Sequence, residues 1–255
     1  MEPLWRGRNR GAIVTETSSS LSRCMPEVPA RVVAIFAHPD DAEFTCGGTV
    51  AAWAGAGASV AYVVCTDGDK GGDDLPFGSE ELAELRREEQ REAAGRLGVQ
   101  DVYFLGHPDG GLARMHGLEE ELVGLIRQSR PELILAWDPW KRYQLHPDHR
   151  EAGMVSLDAV MAAANPRMYP EQLDRGLTPH RTETVYLFGA EEPDIWVDVS
   201  ETFGAKLEAI ALHKTQVREA AEVAGWMARC NQEYGTQAGC AYAEAFKALK
   251  PFCQV

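Results

Sequence analysis

Between residues 31 and 164, short apolar runs alternate with longer stretches of helical periodicity, and this alternation narrows the possible folds more than any other feature of the chain. The runs 31–37, 59–65, 101–105 and 132–137 are rich in Val, Ile, Leu and aromatic residues. Helical patterns lie between and after them, at about 47–57, 79–97, 117–129 and 147–164, with Ser79 as a cap and glutamates in the turn that follows it. Strands and helices in this order predict a Rossmann-like, mostly parallel α/β sheet flanked by helices, joined by right-handed crossovers. Beyond residue 165 the pattern loosens around Pro166, Pro170, Gly176 and Pro179. Strands at 183–188 and 195–199, helices at 201–213 and 215–229 and a last strand at 243–246 complete a less regular C-terminal region. No linker divides 29–255, which reads as a single domain, whereas 1–28, Arg/Gly-rich and then hydroxyl-rich, reads as a disordered leader.

Composition narrows the function. The chain has 255 residues and a net charge of -14, which disfavours nucleic acid or an anionic membrane surface as a partner and suits a small neutral or cationic substrate. No apolar run approaches the roughly 18–20 residues of a membrane span, and the N-terminus lacks a signal-peptide core. A cytoplasmic location is therefore expected. The six cysteines form no C-x-x-C pair and read as free thiols.

Chemistry concentrates in two places. His38-Pro39-Asp40-Asp41-Ala42-Glu43 follows the first strand, and His146-Pro147-Asp148-His149 follows the run ending at Trp137. In open α/β sheets, binding groups gather where strands end in loops. Two imidazoles and a carboxylate, His38, Asp41 and His149, suffice for a catalytic zinc with open positions left over. They suit non-haem iron(II) as well. Taken singly, His-Pro-Asp-Asp also fits a capped turn whose carboxylates bond the free N–H groups of the next helix.

These motifs resemble the two signatures of the PIG-L/LmbE deacetylase family. Weaker echoes follow in the family's order: Arg86-x-x-Glu89 with Ala93-Ala94 and Leu97-Gly98, then Pro108-Asp109-Gly110, then Lys206 with His213-Lys214-Thr215-Gln216, then Tyr242-Ala243-Glu244-Ala245-Phe246. The resemblance covers about 31–247. It implies a zinc-dependent hydrolase that removes the N-acetyl group from an N-acetylglucosaminyl compound, with metal ligands His38, Asp41 and His149. It further implies Asp40 as the general base and His146 as oxyanion stabiliser and acid. Asp148 would hydrogen-bond His146 and raise its pKa, or serve as a helix N-terminal carboxylate. Arg86 and Asp109 would contact substrate, in competition with an exposed ion-paired face for Arg86 and a turn for Asp109. His213 would reach the site or pack, and Glu43 would orient the metal's surroundings or cap the helix. Cys46 is set aside as a ligand because the other three fill that role. Trp137, Trp140 and Tyr143 could stack on a sugar or join the core.

Within the same class, an amidase of mycothiol-type thiol conjugates is the nearest alternative; outside it, a non-catalytic metal- or ligand-binding module. The expected partner is a small N-acetylated amino sugar, and a homo-oligomer using 165–182 as interface is left open.

Overall fold

In the computed structural model, residues 26–72 and 76–253 are described. The leader expected over 1–28 falls almost wholly outside them. The chain runs β1 (Arg31–Phe36), α1 (Asp41–Gly55), β2 (Ser59–Thr66), α2 (Ser79–Arg96), β3 (Asp101–His107), α3 (Leu118–Ser129), β4 (Leu133–Trp137) and α4 (Pro147–Ala164). It continues through a short α5 (Pro170–Asp174), β5 (Thr184–Phe188), β6 (Ile195–Asp198), α6 (Phe203–Leu212), α7 (Ala220–Ala238) and β7 (Ala243–Leu249). The seven strands form one sheet in the order β3-β2-β1-β4-β5-β7-β6. The first five are parallel, and β7 runs antiparallel to both β5 and β6.

Connections leave β1 in one direction through β2 to β3, and the chain then returns to place β4 on the other flank of β1. The gap beyond the C-terminal ends of β1 and β4 is therefore the switch point, where such sheets open a crevice. Register carries the two strands there together, from Val32 beside Leu133 to Ile35 beside Ala136. β4 is buried throughout and β1 from Val32 on, as parallel strands covered on two faces must be. Helices α3 and α4 pack together, while α6 packs on α1, α2 and α7.

Helix α1 starts at Asp41, six residues before the expected position near Gly47. Asp41 and Glu43 occupy its first turn, where the helix dipole favours carboxylates. Gly47 and Gly48 are interior to α1, and Gly48 serves close packing: a Cβ there would lie 2.8 Å from the Val199 Cβ. In the same stretch the Glu244 carboxylate of β7 accepts from the Gly48 and Thr49 N–H groups at 2.9 and 2.7 Å and pairs with Lys206 Nζ at 2.6 Å. Lys206 and Glu244 are each 1% exposed, so this buried pair ties α6 and β7 to α1.

Smaller differences follow from local geometry. Gly78, not Ser79, is the N-cap of α2, and no side chain caps it. Helix α7 extends to Ala238 because Gly239, at φ 80°, supplies the left-handed stop that the nearer residues do not. No helix among the described residues is long and apolar enough to cross a membrane.

Candidate metal centre

The loop from β1 into α1 turns within four residues because Asp40 takes a left-handed backbone, φ 101° and ψ -29°. Asp41 is then oriented by its own neighbourhood. Its Oδ2 accepts from the N–H groups of Ala37 and His38 at 3.1 and 2.9 Å and from the Trp137 indole at 3.1 Å. Its Oδ1 faces His149 Nε2 at 3.2 Å. From the other side, Pro147 opens α4 at its first position and places His149 on the first turn. Gly153 lets α4 lean on the end of β4, since a Cβ there would lie 2.5 Å from the Trp137 carbonyl oxygen. The Trp137 ring stacks on His149 at 4.1 Å between centroids, tilted by 12°.

Three donors thereby converge. His38 Nδ1 lies 3.2 Å from His149 Nε2 and 3.6 Å from Asp41 Oδ2, while the other oxygen, Asp41 Oδ1, is 3.2 Å from His149 Nε2. Ligands held tetrahedrally at zinc–donor distances of about 2.0–2.1 Å stand roughly 3.3–3.4 Å apart. The set fits a dication. Two other groupings lie within metal-binding reach, His38 with His146 and His149, and His38 with Asp109 and Asp148. The second meets the opposite ring nitrogen of His38: Nε2 is 3.3 Å from Asp109 and 3.4 Å from Asp148. Asp148 also accepts from the Gly110 and Leu112 N–H groups at 2.6 and 3.1 Å. Its lone pairs are thus committed to loop and ring, the arrangement that orients a ligating histidine from behind. The His38 ring thus faces Asp41 and His149 through Nδ1 and Asp109 and Asp148 through Nε2.

Electrostatics agree with a cation-seeking site. Burial lowers the His38 pKa, but its hydrogen bonds to Asp109, Asp148 and Asp41 outweigh burial and raise it to about 11. Burial raises the Asp40 carboxyl, Arg86 opposes the rise and Asp41 adds to it, leaving it at about 7. A general base works best near its operating pH. Asp41 stands well below the usual carboxylate range: burial would raise it, and the His149 and His38 imidazoles overcome that.

Several sequence expectations change at this point. Asp148 does not hydrogen-bond His146; its oxygens go to His38 and the 110–112 backbone. The His146 pKa is lowered, first by burial and then by His38 and His149, so a raised value is not found. Its ring packs against His38 and His149 at 4.5 and 4.6 Å, with Nδ1 buried and without a hydrogen-bond partner. Arg86 is neither a solvated residue nor placed to contact a ligand directly. It is 3% exposed and donates to the Gly68 and Pro39 carbonyls at 2.9 and 2.5 Å, with Asp40 Oδ2 at 3.4 Å. Gly68 and Gly71 leave room for its guanidinium, which a Cβ at either position would force to move. Asp109 faces His38 and keeps 12% of its side chain exposed. His213 packs: it is fully buried and bonds Glu43 at 3.2 Å. Cys46 lies in the core, and burial pushes its thiol well up. Of the aromatics, Trp137 is internal, while Trp140 and Tyr143 stand 61% and 85% exposed on the loop before His146.

Two residues escaped the sequence reading. Trp137, expected as a stacking surface or part of the core, donates its indole N–H to the Asp41 carboxylate. Gln90 was not singled out, yet it bonds the Asp40 N–H at 2.8 Å. Periodicity could have found it: Leu82, Ala83, Arg86, Gln90, Ala93 and Ala94 form the buried stripe of α2, and Arg86 and Gln90 are its polar members.

Fold and site together define an α/β protein with donors for a dication at its switch point and an ionisable carboxylate next to them. The chain belongs to the PIG-L family: the model for that family, described as GlcNAc-PI de-N-acetylase, matches residues 33–160. It is 36% identical over 189 residues to a diacetylchitobiose deacetylase of Thermococcus kodakarensis, covering 74% of this chain and 71% of that one. It is 32% identical over 228 residues to a 1D-myo-inositol 2-acetamido-2-deoxy-alpha-D-glucopyranoside deacetylase of Mycobacteroides abscessus, covering 73% and 81%. Among solved structures, N,N'-diacetylchitobiose deacetylase from Pyrococcus horikoshii, complexed with an inhibitor, superimposes with a TM-score of 0.83 at 31% identity, over 88% of this chain and 85% of the other.

Proposed function

We propose that this chain is a zinc-dependent N-deacetylase that hydrolyses the acetamide of a small GlcNAc-containing molecule or glycoconjugate, releasing acetate and a free amine. The observation that carries the reading is the convergence of His38 Nδ1, His149 Nε2 and the Asp41 carboxylate within 3.2–3.6 Å, next to the Asp40 carboxyl. The relatives' shared deacetylation of acetamido sugars supports the substrate class.

Zinc bound to these residues would acidify a water and polarise the amide carbonyl. The residues themselves supply the rest. Asp40, partly exposed, takes the proton from the attacking water as the new C–O bond forms. His146, with its ring against both ligand histidines, faces the carbonyl oxygen as it gains negative charge and donates a hydrogen bond to it. The C–N bond then breaks, and the proton that Asp40 took from the water passes to the departing nitrogen. Asp148 and Asp109 hold the His38 ring from its Nε2 side, and Arg86 fixes the loop that carries Asp40. Asp109, with part of its carboxylate exposed, is the substrate-contact residue of the pair first expected.

Acetate release from a panel of N-acetylglucosaminides tests the reading, with chelator-treated protein assayed before and after zinc is restored. Acetate formed only after zinc is added supports it. Metal binding with cleavage of a thiol conjugate alone would move the acyl specificity elsewhere in the class, and activity restored only by iron(II) under anaerobic conditions would change the metal.

A further inference from the structure

We propose that Gln90 and Glu43 are positioning residues for the Asp40 base, holding its backbone in the left-handed conformation that aims its carboxylate. The proposal rests on the deacetylase reading above and concerns residues that touch neither metal donors nor open space.

Asp40 has φ 101°, a region that side chains other than glycine rarely adopt unless their surroundings impose it. Two side chains of α2 impose it here. Arg86 donates to the Pro39 carbonyl, and Gln90 Oε1 accepts the Asp40 N–H at 2.8 Å. Gln90 must therefore turn its oxygen towards the loop. Its amide is fixed that way round because Nε2 donates to Glu43 Oε1 at 3.0 Å. Glu43 is held in turn by His213 Nε2 on its other oxygen, 3.2 Å away. Gln90, Glu43 and His213 are all fully buried. A buried polar chain of this kind is costly, the more so because His213 Nδ1 has no hydrogen-bond partner, and an apolar residue at 90 would fill the space more cheaply. The chain ends on the N–H of the one residue in the loop whose backbone needs restraint.

The neighbouring ligand does not depend on it. Asp41 is oriented by Ala37, His38 and Trp137 N–H groups, none of which involves α2. Loss of the Gln90 acceptor should thus release Asp40 while leaving the donor set in place, which separates positioning of the base from metal retention.

The test uses the zinc-loaded full chain and an N-acetylglucosaminide that the unmodified enzyme deacetylates. In Gln90→Met, kcat should fall about 10- to 100-fold, the usual effect of losing an outer-shell partner, with KM and zinc per chain unchanged. Glu43→Leu should show the same split, and adding it to Gln90→Met should cost little more, because both break one chain. Glu43→Gln, which still offers an oxygen to Gln90 Nε2, should recover most of the activity. Should Gln90→Met not fold, Gln90→Asn keeps the amide but is one methylene too short to reach, and should lose kcat likewise. A Gln90→Met or Gln90→Asn enzyme with kcat within about threefold of the parent, or one whose loss tracks loss of zinc, overturns the proposal. A parent enzyme that releases no acetate would instead overturn the deacetylase reading.

Discussion

Replacing Trp137 by Phe isolates one hydrogen bond behind the metal centre. The ring that stacks on His149 at 4.1 Å is kept, and the indole N–H that reaches Asp41 Oδ2 at 3.1 Å is lost. That oxygen has two other donors, Ala37 and His38, at 3.1 and 2.9 Å, so the carboxylate stays in place but is less firmly aimed. A hydrogen bond to a charged group contributes about 1.5–3 kcal/mol, and sharing among three donors favours the lower end. About 1.4 kcal/mol corresponds to a factor of ten in affinity. Zinc should therefore bind about 10- to 30-fold more weakly, within the usual range for outer-shell substitutions. Competition against a chromophoric chelator at fixed pH measures this directly. Once zinc saturates the variant, kcat should return to near the parent value. A change below about twofold would show that Trp137 only packs, and that the Asp41 orientation is set by the backbone alone.

Other outcomes follow from the same geometry. Lys206→Met leaves Glu244 buried without its cation; breaking such a pair costs about 3–5 kcal/mol. The lower end is expected because Glu244 keeps two N–H donors, and the thermal unfolding temperature should drop accordingly, with partial recovery on adding Glu244→Gln. For His213, burial lowers the pKa but the Glu43 pair more than offsets it, so the folded value lies above the ordinary one. The pair therefore stabilises fully below about pH 6.5 and loses that contribution as pH rises through the raised value. Denaturant unfolding of His213→Asn should accordingly show a larger destabilisation in acid than in alkali, and an equal loss at both would contradict the assignment.

The elements that place the site were legible because they are local. Pro147 marks the start of α4, and the apolar runs mark β1 and β4 to within a residue or two; the two histidine motifs meet because those strands are neighbours in one sheet. The α1 start was misplaced because Gly47-Gly48 looked like an entry. Gly48 packs closely against Val199 and gives its N–H to Glu244, which arrives from almost two hundred residues away. Arg86 illustrates the same limit. Its sequence neighbours Glu89 and Glu92 suggest an exposed ion-paired face, and only the packed α2 shows the guanidinium turned inward to Pro39 and Gly68. The sequence reading paired Asp148 with His146, and the pairing with His38 depends on how α4 meets the 110–112 loop, which sequence does not show.

The most direct measurement is acetate release by the zinc-restored protein and by Asp40→Asn, with zinc content determined on both. Release by the parent, abolished in Asp40→Asn at unchanged zinc stoichiometry, is the expected result. Equal release by both would contradict a base at Asp40, and a parent that binds no zinc at all would contradict the metal centre itself.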